Sequence, residues 1–310
     1  MLRVEHLLKA IRRQTDNEQV GTDQGISDDE IIRYLNDAQD DVYGDIVNTF
    51  RAKFNDFETI SIVARQESYS VPTKAFMDDQ IAMVEWSLTG LTRDYRALKR
   101  VTMRERNSVE GWPSRYTVAN KKIYVWPIPV SPVGTLRISF TRKVPTMDKR
   151  RAQVSASTIV GTNLTALTLK GVSGAAISST EVSEFSEDDF LCVVNSQGQI
   201  LMAGIAYTAV SALGVVTLDG NHAIQTGETI PVGAYVVMGE YASTHSELPD
   251  DIENYLVCYG AWQVYKRDAN DQFGPQQQQV ITMKQSIIDN YAELNMDVDY
   301  TPEINNYYDW

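Results

Sequence analysis

The apolar residues of this chain change period twice along its length, and that restricts the folds open to it. Helical spacing occupies both ends, and alternation fills the middle. A period near 3.6 buries one stripe of a helix, whereas a period of 2 buries one face of a sheet. Near the start Val4, Leu7, Leu8 and Ile11 share a face, so residues 1–14 read as a short helix. A polar loop then ends at Gly25. Ser27-Asp28-Asp29-Glu30 has the form of a capping box: a serine to cap, and a glutamate three positions on to reach back. Behind it Ile31, Leu35, Ala38, Val42, Ile46 and Phe50 recur at intervals of three or four, which predicts an amphipathic helix over roughly residues 28–54.

Alternation follows. Thr59–Ala64 reads as a strand closed by Tyr69-Ser70-Val71-Pro72, because proline has no N–H to give a ladder. Ile81–Leu88 reads as another, and Leu98–Met103 as a strand or a short helix. Ile123–Trp126, stopped by Pro127, and Leu136–Phe140 complete a small antiparallel sheet. At Arg151 the composition shifts to small and β-forming residues. Strand candidates there are Thr165–Leu169, Phe190–Val194, Gln199–Val210, Gly214–Leu218 and Ala234–Tyr241, with turns at Asn195–Gly198 and Asp219–Asn221. Short strands at regular spacing predict a β-barrel or β-sandwich. Helical period returns at Leu248-Pro249-Asp250-Asp251, with Ile252, Tyr255, Leu256, Tyr259 and Trp262 as the stripe. Gly274-Pro275 breaks the chain, and a last helix to about Leu294 turns Val280, Ile281, Ile287, Ile288 and Tyr291 inward. A chain of 310 residues exceeds the usual reach of one core. The expected class is α+β: a helical-bundle frame of residues 1–151 and 241–294 with a small antiparallel sheet. An inserted β-rich domain at 152–240 interrupts it, and 295–310 form an extended C-terminal arm.

The charges are sorted just as sharply. Residues 1–92 carry 9 basic and 17 acidic groups, a net of −8; residues 93–151 carry 15 and 4, a net of +11; residues 152–310 carry 4 and 20, a net of −16; these sum to the −13 of the whole. Oppositely charged surfaces guide encounter and fix register. In the basic zone lie Arg93, Arg96, Lys99, Arg100, Arg104, Arg106, Arg115, Lys121, Lys122, Arg137, Arg142, Lys143, Lys149, Arg150 and Arg151, interleaved with Trp112, Tyr116, Tyr124 and Trp126. Such a mixture suits single-stranded nucleic acid. However, the remaining chain carries −24 (−13 less +11) and repels a polyanion, so a sheet whose exposed face is basic and pairs with acidic neighbours is the favoured reading, with the basic residues as an inter-subunit or partner patch.

The residues of catalysis are not concentrated anywhere. His6, His222 and His245 lie far apart and read as single solvated side chains. There is no GxGxxG, no GxxxxGK[ST] and no G-x-S-x-G. Glu181, Glu184 and Glu187-Asp188-Asp189 lack the ordered spacing of a calcium loop and read as a solvated acidic loop. No catalytic, cofactor or metal residue is assigned. Cys192 and Cys258 form neither a disulfide framework nor a zinc site and read as small buried hydrophobes folded in a reducing compartment. The N-terminus lacks the apolar core of a signal peptide. The uncharged stretch Phe190–Leu218 is interrupted by Gly204, Thr208, Ser211, Gly214 and Thr217, so two or three buried strands are expected there and no membrane span. Asn295–Trp310 carries acidic groups and no basic one, together with Tyr300, Ile304, Tyr307, Tyr308 and Trp310, which suits a docking arm.

Several features stand in one order: the capped N-terminal helix, Tyr69-Ser70-Val71-Pro72, Gly111-Trp112-Pro113-Ser114-Arg115-Tyr116, Ile123-Tyr124-Val125-Trp126-Pro127-Ile128-Pro129, the strand Leu136–Phe140, and Glu247-Leu248-Pro249-Asp250. This set resembles the head-to-tail adaptor (connector) proteins of short-tailed, podovirus-like bacteriophages. The resemblance covers roughly residues 1–150 and 241–294. It implies a non-enzymatic structural virion protein of the neck or tail, assembled in the host cytoplasm as a ring of twelve copies. Its partners would be the portal protein and a tail nozzle or tail tube protein, and genomic DNA would pass through without specific binding. By the same analogy Tyr300, Ile304, Tyr307, Tyr308 and Trp310 belong to a portal-binding arm. Two alternatives compete: a host-surface or carbohydrate-binding tail component acting through the β insert, and a cell-wall hydrolase using paired carboxylates.

Overall fold

A computed structural model of the protein describes residues 2–16, 25–47, 54–76, 81–105, 109–161, 163–186, 190–220, 222–223 and 229–296, the last five by their backbone. Two compact units emerge: residues 50–144, and residues 1–49 together with 145–310. The segment 152–240, expected as an insert, lies within the larger unit, where its strands form a sheet.

The smaller unit contains β1 (Asn55–Ser61), β2 (Ser68–Ser70), β3 (Ile81–Ser87), β4 (Arg96–Ala97), β5 (Lys99–Arg100), β6 (Arg115–Ala119), β7 (Lys122–Trp126) and β8 (Thr135–Thr141). They form two four-stranded sheets, ordered β1-β8-β3-β4 and β2-β7-β6-β5, where one small sheet was expected. All neighbours are antiparallel except β5 and β6. The alternation in β8 buries Leu136, Ile138 and Phe140, which join Tyr69, Ile81, Val84, Ile123 and Val125 in one core. Each such side chain contributes about 1.5–3 kcal/mol by leaving water. On the opposite face of the first sheet Arg137 stands in register with Glu85 on β3, and their side chains meet at 2.6 Å. Two readings are corrected. Tyr69 does not close the strand at Thr59–Ala64: the chain turns at Arg65, with φ 60°, and Tyr69 enters the second sheet through β2. Leu98–Met103 is neither a strand nor a helix throughout, since β5 is followed by a 3-10 turn at Met103–Glu105.

The larger unit opens with α1 (Val4–Gln14) and α2 (Asp28–Ile46). Ser27 caps α2 as expected, its hydroxyl accepting from the Glu30 N–H at 3.2 Å. The Glu30 carboxylate meanwhile accepts from Tyr34 at 2.8 Å and pairs with Arg267 at 3.2 Å. The expected continuation of this helix through Phe50 falls on residues 48–53, outside the described residues. A short helix α3 (Ser179–Ser183), then α4 (Glu253–Arg267) and α5 (Phe273–Met296), follow among the described residues. α4 packs against α1, α2 and α5. Gly260 permits the α1 contact, because a Cβ there would press into Ile11. Gly274-Pro275 does not break the chain; it lies in the first turn of α5, where proline's missing N–H has no helical acceptor to lose. Val280, Ile287 and Tyr291 point inward as expected, whereas Ile281 is 54% exposed.

Between these helices lie β9 (Ala152–Val160), β10 (Asn163–Lys170), β11 (Phe190–Val194), β12 (Ile200–Val210), β13 (Val215–Leu218) and β14 (Tyr235–Met238). Pairing runs β9-β14-β11-β12-β13-β10, and β10 pairs with β9 again. Val154, Leu167, Leu191, Val193, Ile205, Val216 and Val236 fill its core. The uncharged stretch 190–218 is thus three strands, as expected, and no helix of the described residues is long and apolar enough to cross a membrane. Cys192 and Cys258 are free and buried. The histidine reading is corrected at one position: His245 is buried, its ring against the Thr244 hydroxyl at 2.9 Å. The protein is a mixed α+β structure.

Candidate partner interface

The basic zone is divided by the fold. Arg93 through Lys143 belong to the smaller unit, and Lys149, Arg150 and Arg151 to the larger. These last three are engaged within the chain. Arg151 reaches Asp29 at 2.7 Å, Asp148 at 2.9 Å and Glu184 at 3.0 Å. Lys149 bridges Asp29 and Glu184 at 3.4 and 3.2 Å. Arg150 lies 3.5 Å from Glu5 and over the Tyr235 ring. Burial works against the charge of Arg151, yet the Asp148 hydrogen bonds prevail and hold its guanidinium above its ordinary value. Arg137 is likewise taken up by Glu85 and the Tyr95 ring.

On the smaller unit the strands gather a different set. Arg96 on β4 faces Trp86 in register, and Lys99 on β5 faces Arg115 on β6. Arg93, Arg96, Lys99, Arg100, Arg104 and Arg115 are all exposed. Arg106 lies outside the described residues. Lys121 and Lys122 sit at the turn between β6 and β7, about 13 Å along the strand from Arg115, counting four residues of rise. Arg142 and Lys143 leave the far end of β8, about 20 Å from Leu136, the register partner of Trp86. The sequence therefore names one patch where the structure has a cluster and two outlying pairs.

Beside the cluster runs a groove of about 720 Å³, lined by Trp86, Leu88, Trp112 and Pro113 and rimmed by Arg93, Asp94 and Arg96. The two tryptophan rings lie 5.2 Å apart. Of the four aromatics interleaved with the basic residues, Tyr116 and Trp126 are core, and Trp126 donates to Glu67 at 2.7 Å. Trp112 is 55% exposed, so a ladder of stacking platforms for nucleic acid is not what the fold presents. Trp86 was not singled out in the sequence; its place opposite Arg96 arises only from strand register.

The acidic candidates have structural duties. Glu181 closes a capping box with Ser178, its backbone N–H donating to the serine hydroxyl at 3.2 Å while its carboxylate accepts from Ser178 N–H at 2.8 Å, which lowers its pKa. Glu184 answers Lys149 and Arg151. Glu187-Asp188-Asp189 and the arm residues Tyr300, Ile304, Tyr307, Tyr308 and Trp310 lie outside the described residues. Among the described residues no three His, Cys, Asp or Glu side chains are placed to hold a metal ion.

No curated protein matches this chain. A model of the SU10 adaptor protein family matches residues 3–162, more than half of the 310. The match takes in α1, α2, the whole smaller unit and β9. The chain therefore belongs to the SU10 adaptor protein family, and is by that membership a structural protein of a phage virion, an adaptor.

Proposed function

We propose that copies of this chain close into a ring, with twelve subunits in the manner of head-to-tail adaptors, joining the portal to a tail nozzle or tail tube protein and letting DNA pass. The family match over residues 3–162 is the observation that carries this reading. Ring closure sets one surface against a different surface of the next copy. The exposed cations of the smaller unit and the acidic residues 152–310 supply unlike faces for that contact. An acidic lumen pairs few phosphates, so DNA slides without adhering. The four long helices of the described residues serve as a bundle frame, and the strand pairing of 152–240, returning to its first strand, supports a small barrel. The product works at the virion neck after assembly in the host cytoplasm, and no catalytic step is assigned to it. Residues 295–310 act as the portal-binding arm through Tyr300, Ile304, Tyr307, Tyr308 and Trp310.

Light scattering of the purified protein with and without portal rings tests this. Assembly on portal is expected, and a chain that stays monomeric beside portal rings refutes it. Deleting 295–310 should leave the unfolding midpoint in place and weaken portal attachment. A second reading attaches to the β-rich segment alone. A groove of about 830 Å³ lined by Phe190, 38% exposed, Thr208 and Asp219 offers an apolar ring and an acid of the kind that hold sugars. A glycan array probed with the full chain decides it, and silence removes it.

A further inference from the structure

Ring formation by opposite charge does not account for the groove between Trp86 and Trp112. Charge pairing needs no apolar floor, yet this one exposes Trp112 and a 45% exposed Leu88 to water. The Trp86 indole packs against the Trp112 ring at 5.2 Å and so backs this apolar floor. The rim is cationic. Arg93 has Asp94 at 3.8 Å, and Asp94 also accepts from the Thr89 hydroxyl. Arg96 also lines the groove, and Lys99 and Arg115, exposed and paired in the second sheet, directly follow the lining residues Leu98 and Ser114. An occupant must therefore bring apolar rings for the floor and carboxylates for the rim.

We infer that this groove seats residues 297–310 of a second copy of the chain. That segment carries Asp297, Asp299, Glu303 and Asp309, no cation, and Tyr300, Ile304, Tyr307, Tyr308 and Trp310. Aromatic anchors in a pocket surrounded by complementary charge are the pattern that fixes a protein partner. Single-stranded nucleic acid is less suited, since one exposed ring gives one stacking step and the acidic remainder of the chain opposes a polyanion. The inference rests on the reading of the protein as one that assembles with its own copies. The same segment reaches the portal in that reading, so the two seats exclude each other, and the groove holds arms not engaged there.

The test uses the full chain with benzoylphenylalanine in place of Tyr308, made in isotopically heavy form and mixed with light wild-type protein. After irradiation, mass spectrometry is expected to find heavy arms joined to light peptides spanning residues 86–114. Arg96→Glu and Trp112→Ala, each checked for an unchanged unfolding midpoint, should cut that yield about tenfold. Cross-links found only elsewhere, only within one copy, or insensitive to both variants overturn the inference. Loss of the cross-link on adding a single-stranded oligonucleotide overturns it too, by assigning the groove to nucleic acid. Light scattering of the same samples reports assembly separately, so rings without the cross-link sink this inference and leave the adaptor reading standing.

Discussion

Replacing Arg151 by methionine should destabilise the larger unit while leaving the smaller one untouched. The Arg151 side chain is 10% exposed and holds three carboxylates, of which Asp148 is the most enclosed at 6%. Removing one member of a buried pair leaves the other charge uncompensated and costs about 3–5 kcal/mol. Two features put this case at the lower end. Asp148 keeps the Met238 N–H at 2.8 Å, and Lys149 still bridges Asp29 and Glu184. A loss of about 3 kcal/mol in a unit of this size lowers its melting temperature by about 6–12 °C. Scanning calorimetry reads this directly, and the transition of residues 50–144, which carry none of the network, serves as the reference. Adding Asp148→Asn to Arg151→Met removes the stranded charge and should recover about half of the loss. A single-variant shift below about 2 °C, or a double variant no better than the single one, refutes the account of the network as a buried, coupled set.

Further outcomes follow from other positions. Ser27→Ala removes the α2 cap and should cost about 1 kcal/mol in urea unfolding, with Ser27→Asp close to wild type. Gly198 has φ 80°, and a Cβ there would run into the His245 ring; Gly198→Ala should therefore cost about 2 kcal/mol or more, and near-neutral behaviour would contradict the packing described. Burial holds the His245 imidazole below its ordinary value, and Arg3 and Arg150 add to this against Glu5. The fold thus favours the neutral ring, so its stability is intact above pH 6.5 and falls as acid protonates the unfolded chain first. By pH 5.5 the loss reaches at most about 1.4 kcal/mol, and His245→Gln should flatten that slope between pH 7.5 and 5.5.

What the sequence discloses and what it withholds follow from how local each signal is. Ser27 and the stripe Ile31, Leu35, Ala38, Val42 and Ile46 carry their own explanation, because capping and helical burial act within a few residues. The strand Leu136–Phe140 is equally legible from its alternation. Ala152–Val160 escaped because Ser155, Ser157 and Thr158 dilute the apolar pattern; only pairing with β10 and β14 makes it a strand. Gly274-Pro275 misled because a proline is a breaker inside a helix and a starter in its first turn, and the local sequence does not say which. At the candidate interface the basic side chains were legible as a zone, but their separation into internal ion pairs and an exposed cluster was not. Arg150 and Arg151 resemble Arg96 in sequence, and only distant partners such as Glu5, Asp29 and Glu184 distinguish them. Trp86 was invisible as a floor residue for the same reason.

The strand pairing of β9 to β14 returns to its starting strand, and this has a bearing on crowding. An outer strand with free backbone groups is an invitation for another chain to zip on. A segment whose six principal strands all have neighbours on both sides withholds that invitation. Across this segment, contacts between copies are then left to side chains, whereas the open sheets of the smaller unit keep edge strands that must be guarded by other means.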